Sequence, residues 1–139
     1  MPTNSRITSQ MKSQADRAVA LATAQGLESL DFTIQSIKTV EIMLGDLYEA
    51  YISRTFWQWL RNTPPDRDQL REKAAMYGAY VGEVLILFIN GQWEEENGVP
   101  VVKNAKGTIF PVEKVFKRLT NGPEDDLVFY IDRAVAHLK

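Results

Sequence analysis

Apolar positions are densest between Ala74 and Trp93, where AAMYGAYVGEVLILFINGQW carries a single charged residue, Glu83. A helix of that composition has no face suited to water, so the pattern predicts a buried central helix covered on most sides. It is too short to cross a membrane. Residues 74–89 rise only about 24 Å at about 1.5 Å each, against about 30 Å of hydrocarbon, and Glu83 would sit near the middle. Gly78 and Gly82, four apart on one face, invite close approach by a neighbouring helix or the sheet.

The flanking periodicity predicts the rest. Met1 to Ile7 is polar and expected to be flexible. A helix over about Thr8–Gln25 follows, with Met11, Ala15, Ala18 and Leu21 as its stripe, Val19 and Ala22 alongside, and Gly26 as its stop. Leu27 to Asp31 reads as a short extended connection, and Thr33 is suited to cap the next helix. That helix, about Ile34–Arg61, steps its apolar residues Ile37, Val40, Leu44, Leu47 and Tyr51 at threes and fours, the spacing of a helix laid along another, here the central one. Its end, Phe56-Trp57-Gln58-Trp59-Leu60, is expected to plug one end of the core, with a partly exposed aromatic anchor as the alternative.

Asn62-Thr63-Pro64-Pro65 breaks the helix, Asp66 or Asp68 is placed to cap the next, and Arg67, Arg71 and Lys73 make its first turns polar. After Asn90-Gly91, Gln92–Glu96 reads as a strand, Asn97-Gly98 as a two-residue hairpin and Val99–Val102 as the returning strand, with Pro100 marking an edge or bulge. A turn over Asn104–Gly107 leads to a third strand, Thr108–Phe110. Two more helices follow: one striped by Val112, Val115, Phe116 and Leu119 and stopped by Gly122, the last by Leu127, Ile131, Ala134 and Leu138. The fold class is α+β: about five helices around a buried central one, with a three-stranded antiparallel sheet after the third, in one domain spanning 1–139.

Composition narrows the function. With 139 residues, 45% hydrophobic and 24% charged, the chain suits one globular core. A net charge of −2 and no Lys/Arg cluster argue against a nucleic-acid partner. No cysteine is present, which excludes disulfides, thiolate metal sites and Cys nucleophiles. The first thirty residues lack a signal-peptide core, so a cytoplasmic location is expected.

Candidate chemistry is sparse. Glu83, on a buried helix, needs a partner or a raised pKa; it reads first as structural and alternatively as a buried acid or base. His137, the only histidine, sits near the C-terminus and reads as a surface residue. Glu94 and Glu96 face one way along a strand and Glu95 the other, beside Trp93; this is a charged edge or a surface for a basic protein. The run supplies too few oxygen ligands on one face for a divalent metal. Asp125-Asp126 reads as a cap, and Asn121-Gly122-Pro123 as a turn. No catalytic, cofactor-binding or metal-ligating set is assigned.

Tyr77-Gly78-Ala79-Tyr80-Val81-Gly82-Glu83-Val84, Gly91-Gln92-Trp93, Phe110-Pro111 and Leu119 to Leu127 (LTNGPEDDL) resemble, in that order, a family of small uncharacterised bacterial domains with a GAYLGEV…GxW…FP…NGxEDSL pattern. Leu30-Asp31-Phe32 and Ser36-Ile37 are similar to that family's segment before its long helix. The resemblance covers about residues 27–131, with Asp126 where the pattern has Ser. It implies Gly, Trp and Glu as fold determinants, no assigned catalytic residue, and the role such small acidic proteins often have, immunity against a toxin.

The expectation is therefore a non-enzymatic cytoplasmic protein that binds and neutralises a basic toxin domain by occluding its active site. Glu94, Glu95, Glu96 and Trp93 would make the contact, with Trp57 and Trp59 next. The alternatives are a small hydrolase-like or ligand-binding enzyme using Glu83, and a scaffold that self-associates through its aromatic helix end.

Overall fold

Helix α3 (Asp68–Ile89) is the interior of the molecule: from Ala74 to Leu85 nearly every residue is buried. The computed structural model describes residues 2–26, 30–63 and 67–139, with side chains from Ser5 onward. Around α3 stand α1 (Pro2–Ala24), α2 (Ser36–Leu60), α4 (Pro111–Asn121) and α5 (Leu127–Leu138), with β1 (Gln92–Glu96), β2 (Val99–Asn104) and β3 (Gly107–Ile109) inserted after α3. This is the expected α+β arrangement. The first part of the expected connection, residues 27–29, and the expected break at residues 64–66 lie outside the described residues. Among the described residues no helix is long and apolar enough to cross a membrane.

Helix α1 begins at Pro2 rather than Thr8, because Ile7 already belongs to the buried stripe that continues through Met11, Ala15, Ala18 and Ala22. Ala22, not Leu21, completes that stripe. Its small side chains bring α1 close against α3 and β1. Helix α2 buries Ile37, Val40, Leu44 and Tyr51 as the spacing predicts, but its main backbone neighbours are α4 and α5, not the central helix. The reason is Gly78. A Cβ there would lie 2.5 Å from the Cα of Val112, so α4 settles directly on α3 and occupies that flank.

The sheet runs in the order β1-β2-β3, antiparallel throughout. Its register aligns Trp93, Val102 and Ile109 in one row, all buried in the core. Asn97 and Gly98 have φ of 54° and 79°, the left-handed pair that a two-residue hairpin demands. Pro100 needs no ladder partner on its outer side, because β3 pairs only with Val102 to Asn104.

Local polar groups close the helix ends. Thr33 Oγ1 accepts from the Ser36 amide at 3.2 Å and so closes the turn that leads into α2, whose own N-cap position is Gln35 with no side-chain bond, while Asp126 caps α5 by accepting from the Phe129 amide at 2.9 Å. Asp125 turns instead to Lys114. Asn104 ties the far ends together: its amide donates to the carbonyls of Ile89 (2.9 Å) and Leu138 (2.7 Å), the last turns of α3 and α5.

Candidate functional site

Three regions carry the residues singled out from the sequence, and the structure separates them. The first is interior. Trp93 is 1% exposed, so it is not a surface contact as expected but part of the core. Its ring lies where a Cβ on Gly82 would be, 2.1 Å from the ring edge, and its Nε1 donates to Glu83 Oε2 at 2.9 Å. Gly82 makes room for the indole and Glu83 receives its N–H. A buried indole needs a polar partner and a partly buried carboxylate needs a donor, and each supplies the other.

The second region is the acidic strand. Glu96 pairs with Lys103 at 3.0 Å, and that bond and charge hold the Lys103 ammonium above the usual lysine range. Glu94 accepts from Gln92 Nε2 at 3.2 Å. Two of the three carboxylates are thus engaged by their own sheet, and Glu95 stands exposed on the alternate face.

The third region is the end of α2. Tyr51 is the last residue of this helix in the core; beyond it Phe56 (53%), Trp57 (54%) and Trp59 (72%) are exposed, with Ile52 and Leu60. The expected plug is therefore overturned. Ile52, Phe56, Trp59 and Leu60 follow i, i+4, i+7, i+8, a second apolar stripe turned away from the first. Phe56 meets Trp57 edge-on at 5.6 Å and Trp59 at 6.4 Å, while the exposed Arg54 and Arg61, three before and four after Trp57, lie on the side of the helix away from the stripe. This end is closed, not frayed. Asn62 adopts φ 58°, its amide donates to the Trp59 carbonyl at 3.1 Å, and the Thr63 amide donates to that of Gln58 at 2.8 Å, the two bonds of a Schellman cap.

Sequence reasoning missed one buried polar centre. Arg118 of α4, 4% exposed, donates through Nε and Nη2 to Glu41 Oε2 of α2, each at 2.7 Å, while Glu41 Oε1 accepts from the Leu127 amide at 2.9 Å. Three helices meet on this pair. The signal was present: Glu41 lies four residues after Ile37 and three before Leu44, inside the buried stripe. Tyr80 makes a second missed junction. Its hydroxyl accepts from the Phe32 amide at 2.8 Å and bonds Ser36 Oγ at 2.6 Å, and burial raises it above the usual tyrosine range against the pull of those bonds.

A cleft of about 380 Å³ opens between β3, α4 and α5, floored by Ile109, Tyr130, Ala134 and Leu138. His137 lies at its rim, exposed as expected. Among the described residues no group of three or more His, Asp or Glu side chains is placed to hold a metal ion. No family model, curated protein or solved structure matches the chain, so the reading of its function starts from these three regions.

Proposed function

We propose that this chain is a non-enzymatic binding protein that neutralises a toxin domain by covering its active site, and that it grips that partner with the end of α2. The observation that carries the reading is the outward stripe of Ile52, Phe56, Trp59 and Leu60 with Trp57 beside it. Five large side chains at about half exposure present on the order of 500 Å² of apolar surface, the upper end of the largest patch on a monomer. An amphipathic helix with anchors at these spacings suits a hydrophobic groove on another protein. Aromatic anchors held on a capped helix lose little entropy on binding, and Trp is enriched among residues that dominate interface energy.

The toxin class rests on the family resemblance, and the exposed carboxylate of Glu95, with Glu94 and Glu96 behind it, supplies charge toward a basic cleft. Glu83, bonded to Trp93, has a structural partner, which favours binding over catalysis.

The test is capture by the tagged protein from a lysate of its source organism, followed by co-expression of the captured protein in a sensitive strain. The expected result is one stoichiometric partner that stops growth alone and not with this chain. The Trp57→Ala/Trp59→Ala variant should bind it on the order of 1,000-fold more weakly, from two anchors worth about 2 kcal/mol each. A captured partner harmless to growth removes the toxin. Binding indifferent to both tryptophans removes the α2 surface, and a mass that rises with concentration in the absence of partner turns the reading to self-association.

A further inference from the structure

The cleft between β3, α4 and α5 has a chemistry that the proposed function does not use. Its volume of about 380 Å³ falls in the range of small-molecule sites. The floor is largely apolar, and the charged or titratable groups that line it are Lys114, Tyr130, Arg133 and His137. Among the described residues no carboxylate lines it. Of the neighbouring acids, Asp125 pairs with Lys114 at 3.0 Å in an adjoining hollow of about 480 Å³, which leaves Arg133 as the main positive charge of the cleft; Glu113 in that hollow pairs with Arg71 at 3.3 Å, and Asp132 lines a different hollow with Ile34 and Lys38.

The cations are also held in place. The Arg133 guanidinium lies 5.6 Å from the Phe129 ring centre, and Lys114 Nζ lies 5.3 Å from that of Tyr130. Tyr130 is itself fixed, its hydroxyl accepting from the Phe110 amide at 3.3 Å. A cation resting on an aromatic face loses less freedom when an anion arrives.

We infer that this cleft binds a small amphipathic anion: a carboxylate or sulfonate head at the Arg133 and His137 rim, with an aromatic or short alkyl body on the floor of Ile109, Tyr130, Ala134 and Leu138. Charge at the rim selects the head and the apolar floor selects the body, so neither a simple inorganic anion nor a neutral hydrocarbon satisfies both.

The probe is 8-anilinonaphthalene-1-sulfonate, titrated into the full chain by fluorescence, with neutral N-phenyl-1-naphthylamine as its uncharged counterpart. One saturable site is expected for the sulfonate, with the neutral probe at least about tenfold weaker. Arg133→Glu should weaken the sulfonate at least about tenfold and leave the neutral probe unchanged, and Arg133→Lys should restore most of the affinity. Phe129→Ala should weaken both probes. Arg133 and Phe129 are exposed, so these variants keep the fold, which circular dichroism checks. Trp57→Ala/Trp59→Ala should change nothing, since those rings belong to another surface. The inference is overturned if the wild-type protein shows no saturable site, if Arg133→Glu binds the sulfonate like wild type, or if binding is lost with the tryptophans and not with Arg133.

Discussion

Two sets of tryptophans in one chain have opposite surroundings. Trp93 is received by a glycine, bonded through its N–H to a carboxylate and sealed from water. Trp57 and Trp59 touch Phe56 and solvent. The difference shows what a structural aromatic requires: a cavity cut to its shape and an acceptor for its polar edge. A helix that exposes several aromatics without either leaves that surface to be covered from outside.

The largest effect that sharpens this contrast is on stability. Trp93→Ala should cost about 3–5 kcal/mol by chemical denaturation, from lost burial and the cavity left behind. Trp59→Ala should stay within about 0.5 kcal/mol. Equal costs would erase the distinction. Glu41→Ala should also cost about 3–5 kcal/mol, because it leaves the Arg118 guanidinium buried without its anion, and adding Arg118→Met should recover much of the loss.

Glu83 gives a finer probe. Glu83→Leu should cost about 1–3 kcal/mol by leaving the Trp93 N–H unsatisfied. Glu83→Gln should cost about 1 kcal/mol or less, since its amide oxygen still accepts; a large loss would show that the charge, not the hydrogen bond, holds the indole. The smallest effect is with pH. Burial raises Tyr77, Tyr80 and Tyr130 above the ordinary value of 10.0. A raised folded-state pKa means that the stability these groups contribute is fully present below 10.0 and is lost as the pH climbs above it. Denaturation midpoints should be flat approaching that value from below and fall beyond it, less steeply in Tyr80→Phe.

Much of the fold is legible in the sequence. The apolar run of α3, the Asn97-Gly98 hairpin and the period of α5 are local signals, and each element forms where its pattern points. That Glu83 needs a partner is equally legible, but its donor is an indole in the next element, which helix spacing cannot show. The aromatic end of α2 misleads because its composition suggests a core and only its angle shows otherwise. At about 100° per residue, Ile52, Phe56, Trp59 and Leu60 point roughly 80–180° round the helix from Tyr51, so they cannot share its core face. Glu41 and Arg118 are 77 residues apart and meet only through the packing of α2 on α4. The cleft beside α5 is likewise made by three elements and belongs to none of their patterns.

The proposed division, Trp93 for the fold and Trp57 and Trp59 for a partner, is tested most directly by oxidising the protein with N-bromosuccinimide, free and in its captured complex, and mapping the modified tryptophans by mass spectrometry. Rapid modification of Trp57 and Trp59 is expected in the free protein, with protection of both in the complex and Trp93 intact throughout. Trp93 reacting as fast as the others, or Trp57 and Trp59 reacting in the complex as they do alone, would contradict it.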